Sequence, residues 1–146
     1  MSIAALVTWL ITAGGGFIML GGWLSHGGLS QQRSGTSRFP APVIFGHFGL
    51  AAAGLVLWIA FVALHTRALG WIAFAALLPV AVLGFVMLLR WLPGWQASRG
   101  GGAAQEAAAG GAIAAERHLP VPVIVAHGLL AVVTLVLVLL ATAGGS

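Results

Sequence analysis

Pro40-Ala41-Pro42-Val43-Ile44-Phe45-Gly46-His47 returns eighty residues later as Pro120-Val121-Pro122-Val123-Ile124-Val125-Ala126-His127. Each copy opens an apolar stretch with Pro-x-Pro-Val-Ile and sets one histidine seven residues past the first proline. The match continues at the same offset, with Leu50, Ala51, Leu55, Val56 and Leu57 answered by Leu130, Ala131, Leu135, Val136 and Leu137. A second correspondence, at an offset of sixty-eight, pairs Phe17-Ile18-Met19-Leu20 and Trp23-Leu24 with Phe85-Val86-Met87-Leu88 and Trp91-Leu92. The chain therefore reads as two tandem two-helix repeats.

Composition says where such a chain lives. Of 146 residues, 60% are hydrophobic and 5% are charged, which excludes an ordinary water-soluble fold and leaves the lipid bilayer as solvent. Four apolar stretches, about 3–24, 40–64, 69–92 and 120–141, each approach the roughly twenty residues that a helix needs to cross about 30 Å of hydrocarbon. The first has no basic flank and is too long for the apolar core of a signal peptide, so it reads as a mature helix. The expected fold is all-α, an integral membrane four-helix bundle. Because each half crosses an even number of times, both halves have the same orientation, and a pseudo-twofold axis would lie along the membrane normal.

Between the spans lie two long polar loops, 25–39 and 93–119. Pro40, Pro42, Pro120 and Pro122 suit first helical turns, where a missing backbone donor costs nothing, and Pro79 predicts a kink. The twelve-residue difference between the offsets falls in the second loop, where Gly100-Gly101-Gly102 and the stretch to Ile113 read as an insertion. Residues 104–109 predict a short surface helix. Arg33, Arg38, Arg90, Arg99 and Arg117 flank the two loops, with Arg67 alone at the other end, so the positive-inside rule puts the loops in the cytoplasm and both termini outside. Richness in Ala, Gly and Arg without lysine suggests a bacterial inner membrane. Trp23, Trp91 and Trp95 are expected at the inner interface, and Trp71 and Trp9 nearer the outer one.

Several chemistries are excluded. The net charge of +4 comes from too few groups to imply nucleic-acid binding, and the absence of cysteine removes disulfides, thiolate metal sites and iron–sulfur clusters. No Ser-His-Asp set, paired carboxylates or phosphate-binding glycine loop occurs. Any enzyme activity would at most be redox exchange, with quinone as a partner and His26 or His118 as its proton acceptor.

What remains is the duplicated histidine. At 1.5 Å rise per residue, His47 and His127 lie about 10 Å past the first proline of parallel helices, at one depth, and can face each other across the pseudo-axis. Two imidazoles from two helices suit the axial positions of a haem iron. Gly46 and Gly49 beside His47, and Ala126 and Gly128 beside His127, offer room for a flat ring. The competing account is that small residues permit close helix packing and each histidine bonds a backbone carbonyl. Arg38 and Arg117, with His118, are expected either to neutralise haem propionates or to be solvated helix-end residues. His65 shares a helix face with His47, but its repeat counterpart is Gly145, so a second haem within the chain is not expected.

In its four spans and facing histidines the chain resembles the four-helix membrane b-type cytochromes, of the cytochrome b561 type and the anchors of respiratory enzymes. That resemblance implies transmembrane electron transfer with haem b, with His47 and His127 as ligands. Alternatives from other classes are a cofactor-free accessory subunit of a larger respiratory or redox complex, a homodimer packed through the glycine-rich face of the first helix, and a histidine-based divalent-metal or proton carrier. Two nitrogens are too few for a closed zinc site. A chlorophyll-type pigment would need the same imidazole beside small residues.

Overall fold

A computed structural model describes residues 1–101, 108, 110 and 112–144. The chain forms α1 (Ser2–Ser25), α2 (Gly28–Ser34), α3 (Ala41–Leu64), α4 (Arg67–Arg99), a single 3₁₀ turn (Ala115–His118) and α5 (Val121–Gly144). There is no strand among the described residues. The long helices α1, α3 and α5 have 24 residues each and α4 has 33, about 36 Å and 50 Å at 1.5 Å per residue. All four are long and apolar enough to cross a membrane. Their outward side chains agree with that: Val56, Phe85 and Leu129 are about two-thirds exposed, and large apolar residues face outward on every long helix. Such a surface calls for hydrocarbon or an apolar partner around it.

The helices pack as a square. α3 lies along α4 and α1 along α5, with smaller contacts between α1 and α3 and between α4 and α5. That leaves α3 and α5, which run in the same direction, on opposite corners. Each begins in the same way: the carbonyl of Pro40 accepts from the N–H groups of Val43 and Ile44, and that of Pro120 from Val123 and Ile124. At the end carrying both termini, His65 closes α3 in a left-handed conformation (φ 55°), its N–H donating to the Phe61 carbonyl, and Thr66 is extended before α4 begins. Arg67 donates to the carbonyls of Thr142 and Ala143, groups that a helix C-terminus leaves without partners.

Two boundaries differ from expectation. α4 continues through Pro79 as one helix and, instead of ending at residue 92, passes Pro93 and reaches Arg99. Its extra turns are held by side chains: Trp95 stacks on Trp91 at 5.4 Å, Arg99 lies 4.9 Å over the Trp95 ring, and the Ser98 hydroxyl donates to the Gly94 carbonyl. The first loop contains α2, bracketed by Gly27 and Gly35 at positive φ. The surface helix expected at 104–109 lies, apart from Ala108, outside the described residues.

The interior has two apolar clusters. Near the termini, Ala5, Trp9, Trp58, Phe61, Ala73, Leu77, Val138 and Ala141 pack together. Near the loops, Trp23, Phe39, Ile44, Trp91, Ala115 and Leu119 form the second. Trp9, Trp23 and Trp91 are therefore core residues and not interface anchors, whereas Trp71 is 44% exposed. Trp9 lies over Gly54, where a Cβ would stand 3.2 Å from its ring, and Gly28 is so close beneath the Trp23 ring that no side chain fits there.

Candidate functional site: a histidine layer between two cores

Between the two clusters every long helix has a stretch that belongs to neither. On α1 it lies between Trp9 and Met19, on α3 between Ile44 and Leu55, on α4 between Leu77 and Met87 and on α5 between Ile124 and Leu135. Each stretch spans about nine or ten residues, a layer roughly 14 Å tall at 1.5 Å per residue. Val80 is its one buried hydrophobic residue. His47 and His127, both half-buried, occupy this layer.

The backbone of a neighbouring helix orients each ring. His47 Nδ1 donates to the Val80 carbonyl of α4 at 2.9 Å, and His127 Nδ1 donates to the Thr12 carbonyl of α1 at 2.9 Å. A carbonyl only accepts, so the proton of the neutral ring is on Nδ1 and the lone pair is on Nε2. In a helix these carbonyls already serve the N–H four residues on, at Gly84 and Gly16. With no side chain there, each imidazole reaches the second lone pair. A Cβ on Gly84 would lie 3.3 Å from His47 Cε1, and one on Gly16 would lie 3.4 Å from His127 Cε1. The two arrangements use matching positions, since 80 minus 12 and 84 minus 16 are both 68, and 127 minus 47 is 80.

The rings meet across the square with centres 6.2 Å apart and planes at 50°. This separation can be compared with metal ligation. A ring nitrogen lies about 1.1 Å from the imidazole centre, given ring bonds of about 1.33 Å. A metal–imidazole bond is about 2.0 Å. Two imidazoles on opposite sides of one metal would thus have centres about 6.2 Å apart, whereas the tetrahedral angle would bring them to about 5.1 Å. The observed 6.2 Å equals the opposite-sided value and exceeds the tetrahedral one. Among the described residues, no three histidines or carboxylates gather into a group that could hold a metal ion.

The small residues expected to make room sit differently. Gly49 and Gly128 have open space where a side chain would begin, and a Cβ on Gly46 would touch Leu83. The glycines that contact the imidazoles are Gly84 on α4 and Gly15 and Gly16 on α1. They were legible only through knowing which helix lies opposite which. Beside His127, a groove of ≈ 530 Å³ opens outward between α1 and α5, lined by Ile11, Gly14, Gly15, Ala126, His127 and Leu130. At the repeat positions on α4 stand Val82 and Leu83.

The remaining candidates are at the ends. His26 and His118 stack at the loop end, with centres 4.1 Å apart and planes at 13°. His65 is exposed at the opposite end. Arg38 and Arg117 line a polar pocket at the loop end together with Arg90, which the sequence marked only for its charge. No family model, curated protein or solved structure matches this chain.

Proposed function

We propose that this chain is a haem b-binding electron-transfer protein of a bacterial inner membrane, with one haem held between α3 and α5 by His47 and His127. The observation that carries this reading is the pair of imidazoles 6.2 Å apart, each fixed through Nδ1, in a layer that neither apolar cluster fills. His47 and His127 would hold the iron of a planar macrocycle, and two nitrogens are too few for a closed zinc site. The Nδ1–H···O=C bonds supply the outer partners that fix tautomer and ring direction and raise ligand basicity.

Bound haem would supply one-electron chemistry. The chain's own contribution is to fix each ring through Nδ1, which leaves the Nε2 lone pairs available, and to keep water from the site with the two apolar clusters. The matching hydrogen bonds at offsets of 68 and 80 support a duplicated hairpin with its pseudo-twofold axis between the rings. The distribution of arginines supports cytoplasmic loops and external termini.

The test is the absorption spectrum of the detergent-purified chain from haem-replete cells, air-oxidised and then reduced with dithionite. A Soret band with sharp reduced α and β bands is expected, and His47→Ala or His127→Ala should abolish the low-spin spectrum while the protein still inserts. A featureless wild-type spectrum, or unchanged spectra in both variants, would remove the histidines from this role and favour a cofactor-free subunit.

A further inference from the structure

The loop end holds a second polar feature that haem ligation does not use. A pocket of ≈ 280 Å³ lies between the end of α4 and the two loops, with Thr36, Arg38, Arg90, Gly94, Glu116 and Arg117 in its wall. Among the described residues, its wall carries three guanidinium groups and one carboxylate. The carboxylate is already committed. Glu116 is 3% exposed, one of its oxygens accepts the Ser37 hydroxyl at 2.9 Å, and the other accepts the Arg38 N–H at 2.6 Å. It therefore ties the first loop to the second. Arg90 donates from one nitrogen to the Arg38 carbonyl at 3.0 Å, which fixes one arm of a five-donor fork at the pocket wall.

The position of this pocket narrows the ligand. Arg90 ends the apolar run of α4 and is followed by Gln96, Ser98 and Arg99, the polar stretch with which a span leaves hydrocarbon for headgroups. Ile44 and Met87 of the loop-side cluster occupy helix positions between it and the histidines. Guanidinium forks match the oxygens of phosphate, and basic pockets at this level suit anionic headgroups.

We infer that Arg38, Arg90 and Arg117 form a phosphate-binding pocket at the membrane surface, taking the phosphate of an anionic phospholipid or a free phosphate group. This site does not depend on the haem reading. A colourless protein that binds phosphate would keep the pocket and lose the haem.

The experiment uses the full chain in detergent as wild type, as the Arg90→Gln/Arg117→Gln double variant, and as Arg33→Gln, an exposed arginine of α2 outside the pocket. Native mass spectrometry follows retention of phosphatidylglycerol against phosphatidylcholine, and thermal unfolding compares inorganic phosphate with chloride at equal ionic strength. Wild type and Arg33→Gln should retain phosphatidylglycerol selectively, with affinity at least about tenfold weaker in the double variant, as loss of charge-assisted hydrogen bonds implies. Stabilisation by inorganic phosphate without lipid selectivity, lost in the double variant, would support the pocket and assign it a soluble ligand. Wild-type protein that shows neither effect would overturn the proposal, even if the variants do not fold. It would also be overturned if the double variant lost haem but kept phosphatidylglycerol, because the arginines would then serve the propionates.

Discussion

Gly84 acts on His47 through a carbonyl four residues upstream. A Cβ at position 84 would stand 3.3 Å from the imidazole, so the ring would have to move away from the Val80 oxygen that orients it. Loss of one such bond costs about 0.5–1.5 kcal/mol, up to about tenfold in affinity. Gly84→Ala is therefore expected to weaken haem retention by up to that factor, measured as haem transfer to an excess of a scavenging protein. Gly49→Ala, on the histidine's own helix and with no atom near its added methyl, should be silent. Equal losses in the two variants would disprove the link between the glycine and ring orientation. The histidines themselves were legible in the sequence because they were duplicated. Their partners were not, since Thr12 and Val80 contribute only a backbone oxygen, and nothing in a side chain announces which carbonyl an imidazole will find.

At the scale of elements, hydropathy located all four spans, because lipid selects length and apolarity directly. It did not locate their inward faces. Helices that are apolar all round carry little periodic signal, so Trp9 and Trp23 read as interface anchors although both pack inside. The extension of α4 past Pro93 was missed for a related reason. Local rules count the lost backbone donor but not the stacking of Trp95 on Trp91 or the Arg99 contact that follows it. The clasp between the loops was equally hidden, since the residues that meet are 78 and 79 positions apart. Glu116→Gln tests that clasp. One amide oxygen can replace one carboxylate oxygen, but its NH₂ then faces either the Ser37 hydroxyl or the Arg38 N–H, both of which donate here. A loss of about 1–3 kcal/mol is expected, measured as a lower denaturation midpoint in detergent, and an unchanged midpoint would show that the clasp contributes nothing to stability.

Across the whole molecule, the square arrangement puts α3 and α5 on opposite corners, each hydrogen-bonded through its histidine to the helix it packs along. The backbone environments of the two rings match position for position, but the flanking side chains do not. Gly14 and Gly15 leave a groove from the outer surface to His127, whereas Val82 and Leu83 stand at the corresponding places beside His47, with Leu83 against Gly46. If haem sits between the rings, removing either imidazole leaves a gap that added imidazole can refill only by a path through the bundle wall. His127→Gly should regain its low-spin spectrum faster and at lower imidazole concentration than His47→Gly, followed by stopped-flow absorbance; equal kinetics would show that the groove is not the path. Two ligands alike in their bonds to the backbone would then differ in lability, one exchangeable from the lipid side and the other inert.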